Sequence, residues 1–136
     1  MRSLEINATP NSPRVSFDPD KSQFEISGES RPENASSFYK PILEWGKEIE
    51  TIFKSNSKAF VEPLKFDFSL DYFNSTSAKY ILDFCKIIGN LSDLGVPLKV
   101  RWLYEKDDED MLTVGQEMAR MAKINFEYVE TQIDNN

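Results

Sequence analysis

Two hydrophobic periodicities take turns along this chain of 136 residues. Near the amino terminus Leu4, Ile6 and Ala8 alternate with Ser3, Glu5 and Asn7, and the pairs Val15/Phe17 and Phe24/Ile26 flank Asp18-Pro19-Asp20-Lys21-Ser22. A period of two marks half-buried strands, and Pro with Asp between them marks a turn, so this third of the chain predicts short antiparallel strands. A loop rich in breakers follows over Gly28–Asn34. Phe38, Ile42, Trp45, Ile49 and Phe53 then recur at steps of four, three, four and four, the signature of an amphipathic helix. Pro41 is tolerated in it when the regular helix begins near Ser36 or Ser37, because the first N–H groups of a helix have no partner to lose.

Strict alternation returns at Leu64, Phe66, Phe68 and Leu70, which predicts a strand leading into a short turn over Tyr72–Ser77. After Ser77 the residues Tyr80, Phe84, Ile87, Ile88 and Leu91 form one stripe, with Lys79, Asp83 and Lys86 on the other side and Gly89-Asn90 near the end of the helix. Leu98, Val100, Trp102 and Tyr104 predict another strand, the residues up to about Ala122 a third main helix, and Ile124, Phe126 and Tyr128 a last strand. Strands joined by helical crossovers favour parallel neighbours. The expected class is therefore α/β: a mixed sheet, antiparallel among the N-terminal strands and parallel among the C-terminal ones, with about three main helices. One domain over 1–130 and a polar tail over 131–136 account for the chain, without repeats or an internal linker.

Composition narrows the chemistry. Hydrophobic residues make up 40% and charged residues 29%, the balance of a soluble globule, and no apolar run or amino-terminal leader marks a membrane or secretory route. A cytoplasmic protein is expected, with the sequons at Asn7, Asn34, Asn74 and Asn90 unused. A net charge of −7 without a compensating basic cluster argues against nucleic acid and acidic membranes. The absence of histidine removes Ser-His-Asp and Cys-His nucleophile systems and every His-based metal site. The lone Cys85 sits among Phe84, Ile87 and Ile88, where a thiol is buried and inert. No nucleotide-phosphate loop of the GxxxxGK[ST] or GxGxxG kind is present.

Few residues are left for a site. Asp67 and Asp71 lie on a strand's polar face and in a turn, with no second catalytic partner. The run Asp107-Asp108-Glu109-Asp110 lacks the spacing of a calcium loop and suits a helix start, so neither a metal nor a cofactor is expected. Ser75, Thr76 and Ser77 stand where a strand passes into a helix. A hydroxyl there caps the helix, a contribution of about 1 kcal/mol. A phosphate there adds roughly −1.5 to −2 charge at the positive end of the helix dipole and alters any surface that docks over it. The residues themselves leave both readings open.

Gly28-Glu29-Ser30, Pro32-Glu33-Asn34, the helix Phe38…Pro41-Ile42…Trp45 and above all Tyr72-Phe73-Asn74-Ser75-Thr76-Ser77 resemble the SiaC-like regulatory phosphoproteins, small bacterial domains similar to anti-sigma-factor antagonists of the STAS fold. The resemblance covers nearly the whole chain and implies a single STAS-like domain. It places the phosphoacceptor just after the Asn, at Ser75. Where the family often carries Thr, this chain has Ser75 followed by Thr76, so Thr76 is the alternate and Ser77 is expected to be the cap. Partner switching is implied as well: a dedicated Ser/Thr kinase, a PP2C-type phosphatase, and an effector bound by the unphosphorylated form, in the best-known branch a diguanylate cyclase of c-di-GMP signalling. The expected docking patch is Tyr72, Phe73, Asn74 and Ser77 with Lys79, Asp83 and Lys86, on a domain without catalytic residues of its own. Two other classes make different demands: an enzyme needs a polar pocket of clustered titratable groups, and a small-ligand or lipid carrier needs an enclosed apolar cavity.

Overall fold

A computed structural model describes residues 1–56 and 62–132. The elements run β1 (Leu4–Ile6), β2 (Arg14–Asp18), β3 (Gln23–Ser30), α1 (Ala35–Ser55), β4 (Leu64–Phe73), α2 (Ser75–Asp93), β5 (Leu98–Glu105), α3 (Glu109–Ala122) and β6 (Glu127–Thr131). The six strands form one sheet in chain order. Loops without helices join the antiparallel pairs β1/β2 and β2/β3, whereas one helix crosses over between each of the parallel pairs β3/β4, β4/β5 and β5/β6. The expected α/β class with a mixed sheet and three helices is the fold observed. Residues 133–136, most of the expected polar tail, lie outside the described residues.

The strand alternation decides where the core sits. Val15, Phe17, Phe24, Ile26, Phe66 and Phe68 on one face of the sheet are buried against the helices, together with Trp45, Phe53, Phe84 and Trp102. Aromatic rings carry much of this packing: Phe17 stacks on Phe84 at 5.6 Å and Trp102 on Phe126 at 5.6 Å. The opposite face carries Ser16, Glu25, Ser27, Lys65, Asp67 and Arg101, all of them polar. There Arg101 donates to both carboxylate oxygens of Asp67, at 2.9 and 2.7 Å. Asp67 is thus an ion-pair partner on the polar face rather than half of a catalytic pair with Asp71. Cys85 is fully buried, and burial pushes its thiol far above the usual range.

Several boundaries differ from expectation, each for a reason that lies elsewhere in the chain. Gly28, Glu29 and Ser30 belong to β3 rather than to a loop, because they pair with Leu70, Tyr72 and Phe73. That pairing skips Asp71, which makes it the extra residue of a β-bulge opposite Gly28, whose φ of +107° suits glycine. Tyr72 and Phe73 consequently extend β4, and the supposed turn shrinks to Asn74 alone. Pro41 stands in the second turn of α1, which begins at Ala35 behind the cap Asn34, slightly before the expected start. Helix α2 does not stop at Gly89. A Cβ there would come within 2.4 Å of the Ala122 carbonyl oxygen, so this glycine is the contact point between α2 and the end of α3. The last strand starts at Glu127, with Phe126 buried just ahead of it.

Candidate functional site: the start of helix α2

Helix α2 begins where β4 ends, and one residue makes the join. Asn74 keeps an extended backbone (φ −82°, ψ 173°), its side-chain oxygen accepts the Ser77 N–H at 2.9 Å, and its carbonyl accepts the Ala78 N–H at 2.9 Å. Its own N–H donates to the Ser30 carbonyl at 3.1 Å, the last rung between β3 and β4. Asn74 is therefore the N-cap, which corrects the expectation that Ser77 caps the helix. An Asn side chain one residue past the strand reaches the third helical N–H, and Ser77 is the residue that supplies it.

Ser77 has a different task. It is fully buried, and its Oγ accepts a hydrogen bond from Ser30 Oγ at 2.9 Å, while Ser30 Oγ and the Tyr39 hydroxyl lie 2.6 Å apart. These three hydroxyls satisfy one another in the interior, as buried polar groups must. Burial pushes the Tyr39 phenol up to about 12, with the hydrogen-bonded Ser30 hydroxyl and the nearby Ser77 hydroxyl opposing the shift. Tyr39 also stacks nearly parallel on Tyr80 at 5.7 Å. Ser77 is consequently absent from the surface, and the expected docking patch loses that member. Sequence reading missed Tyr39 and, although Ser30 stands in the Gly28-Glu29-Ser30 motif, missed its part in this cluster. The only available signal was that Tyr39, Ile42, Trp45, Ile49 and Phe53 fit a helical stripe as well as the set beginning with Phe38 does.

Ser75 and Thr76 are the first two helical residues, and both are exposed. Neither hydroxyl is engaged by another described residue, and at these positions the backbone N–H groups have no intrahelical acceptor. The first turn carries no acidic residue. Ser75, Lys79, Asp83 and Lys86 follow at steps of four, four and three, so they share one stripe of α2. Lys79 and Lys86 on it are exposed and Asp83 is half-buried. Lys79 Nζ lies 5.0 Å from the centre of the Tyr80 ring. Tyr72 is 49% exposed beside this start, whereas Phe73 turns inward and packs edge-on against Trp102 at 6.2 Å.

The acidic run serves α3 as a helix start. Asp108 is its N-cap, accepting the Met111 N–H at 3.0 Å, and Glu109 and Asp110 occupy the first turn. Among the described residues no three His, Cys, Asp or Glu side chains converge as metal ligands, and no helix is long and apolar enough to cross a membrane.

Fold and site together define a small single-domain α/β protein that displays two free hydroxyls at a tightly held helix start. The chain belongs to the SiaC family of regulatory phosphoproteins, whose family model matches residues 6–131. An uncharacterised protein of Pseudomonas aeruginosa (strain UCBPP-PA14) is 25% identical over 126 residues, covering 93% of this chain and 94% of that protein. The crystal structure of apo-SiaC from Pseudomonas aeruginosa superposes with a TM-score of 0.76 at 22% identity, over 96% of this chain and 99% of that one. SiaC in complex with the diguanylate cyclase SiaD, which it activates, superposes with a TM-score of 0.78 at 22% identity and the same coverage.

Proposed function

We propose that this chain is a non-catalytic, cytoplasmic partner switch, phosphorylated reversibly on Ser75, with Thr76 as the alternate acceptor. The unphosphorylated form binds and regulates an effector protein. A diguanylate cyclase is the effector this reading favours, because the structurally similar SiaC is an activator of one. A Ser/Thr kinase adds the phosphate and a PP2C-type phosphatase removes it.

The observation that carries the reading is the division of labour among neighbouring polar residues. Asn74 does the capping and Ser77 is tied down inside, which leaves Ser75 as an exposed hydroxyl with no structural duty. A phosphate on it meets unpaired N–H groups, the positive end of α2 and Lys79 one turn on. It is stable where it sits, yet it changes the charge of a surface formed by Tyr72, Phe73, Asn74, Lys79, Asp83 and Lys86. An effector that closes over this surface must then desolvate a dianion, and its binding weakens.

The test is coexpression with a Ser/Thr kinase from the same gene neighbourhood, followed by intact mass and site mapping. One added phosphate on Ser75, absent from Ser75→Ala, is the expected result. Phosphate on Thr76 alone would move the acceptor by one residue, and no phosphate would refute the switch. A Ser75→Asp chain that binds the effector as tightly as the wild type would refute the proposed consequence of phosphorylation.

A further inference from the structure

The bulge at Asp71 has an outcome beyond lengthening β4. It sets Asp71 and Tyr72 on the surface in succession, against the first turn of α3. Between the two elements lies a groove of about 280 Å³, lined by the apolar Phe73, Met111 and Val114, by Tyr72, and by the carboxylates of Asp71, Asp108 and Asp110. We propose that this groove receives an arginine side chain of the kinase that phosphorylates the chain, an inference that rests on the reading of Ser75 as acceptor.

Charge and shape point to the occupant. At about 280 Å³ the groove has room for one long side chain reaching in from a protein. Asp71 and Asp110 form no ion pair or hydrogen bond with any described residue, while Asp108 is already engaged at the helix cap. The carboxylates do not converge as metal ligands, so a compact cation is not what they fit. An arginine combines an apolar stem for Phe73, Met111 and Val114 with a planar head that meets separated carboxylates and lies over a tyrosine ring. Tyr72, 49% exposed, offers that ring.

Position and sign select the partner. Ser75 does not line the groove, but Phe73 and Ser75 are two residues apart, so their Cα atoms lie within about 7 Å and an enzyme seated on the acceptor covers the groove as well. A phosphate on Ser75 adds negative charge next to a groove that already attracts a cation. It cannot expel an arginine by repulsion. Release of the effector is therefore not the work of this groove, although Tyr72 and Phe73 border both surfaces, and the groove suits an enzyme that must approach the acceptor itself.

Phosphate incorporation measured by intact mass, with purified kinase and full chain, tests this. For Asp71→Asn/Asp110→Asn the KM for the chain is expected to rise about three- to tenfold at low salt with kcat held, and the difference should close as salt screens the exposed pairs. Equal KM values overturn the inference while leaving the acceptor intact. A wild-type chain that takes no phosphate refutes the acceptor reading and this inference with it. Should the double variant melt early, titrating ¹⁵N-labelled wild-type chain with Nα-acetyl-arginine amide decides the matter. Shifts concentrated at Tyr72, Phe73, Met111 and Val114 are expected, and shifts spread evenly over the acidic surface would overturn the docking site.

Discussion

Ser30 and Ser77 are 47 positions apart in the chain, yet their hydroxyl oxygens meet at 2.9 Å with both residues fully buried. Ser30 also takes the Tyr39 hydroxyl at 2.6 Å and, through its carbonyl, the Asn74 N–H at 3.1 Å. One serine at the end of β3 thus holds the strand end, the helix cap and α1 in a fixed relation beneath the acceptor. Removing its hydroxyl strands two buried partners, whereas removing the Tyr39 hydroxyl strands one. Ser30→Ala is expected to cost about 1–3 kcal/mol and Tyr39→Phe about 1 kcal/mol. Urea unfolding of the two variants gives the comparison, and a larger loss for Tyr39→Phe would contradict the central place of Ser30.

Alkaline stability should report the same network. The Tyr39 phenol is raised to about 12 from an ordinary 10.0, so it stays protonated in the folded state while it would ionise in the unfolded one. A raised pKa contributes stability that is complete below pH 10 and is lost as pH climbs through about 12. The amount at stake is about 2–3 kcal/mol. Unfolding free energy of the wild type should therefore fall across that window more steeply than that of Tyr39→Phe. Parallel slopes would show that Tyr39 is not shielded as described.

Asn74→Ala removes the cap of α2 and is expected to cost about 1 kcal/mol. Asn74→Asp keeps the acceptor and adds a charge that the helix dipole favours, so it should be neutral or slightly stabilising. Thermal melts of the pair separate a capping role from one in packing, for which both changes would cost alike.

Phosphate on Ser75 is expected to stabilise the free protein by about 0.5–1 kcal/mol, and the gain should shrink in Lys79→Ala. A charge at the adjacent buried site behaves in the opposite way. Ser77→Asp places a carboxylate among interior hydroxyls and should lower stability by several kcal/mol. Melting temperatures of phosphorylated wild type and of Ser77→Asp that fell together would refute this contrast.

Gly115 faces the indole of Trp102 so closely that a Cβ would come within 2.5 Å of its ring atoms. Trp102 is held in place by its Nε1–H donating to the Met111 carbonyl at 3.0 Å and by its stack on Phe126. Gly115→Ala is expected to cost about 1–3 kcal/mol through overpacking and to shift the tryptophan emission. An unchanged spectrum with unchanged stability would mean that α3 moves away freely.

The elements that alternate or recur without interruption were legible from residue types alone. Leu64 to Leu70 reads as a strand and Phe38 to Phe53 as a helix because each pattern repeats the geometry of its own backbone, and solvent enforces that pattern locally. The order of those elements sufficed for a mixed sheet crossed by three helices, since parallel neighbours require crossovers. The hydroxyl cluster at 75–77 was visible for the same reason, being a local feature of composition.

Its internal assignments were not. Whether Asn74 or Ser77 caps α2 depends on where β4 stops, and β4 runs on to Phe73 only because β3 continues through Ser30 past a bulge. Ser77 is buried because Ser30 and Tyr39, from two other elements, wait for its hydroxyl. The groove between β4 and α3 exists because that bulge brings Asp71 and Tyr72 against the start of α3. Sequence by itself determined the periodicities, the fold class and a short stretch of hydroxyls. Tertiary structure decided which hydroxyl is spent inside and which stays free, because hydrogen-bond partners and strand register are set by residues distant in the chain.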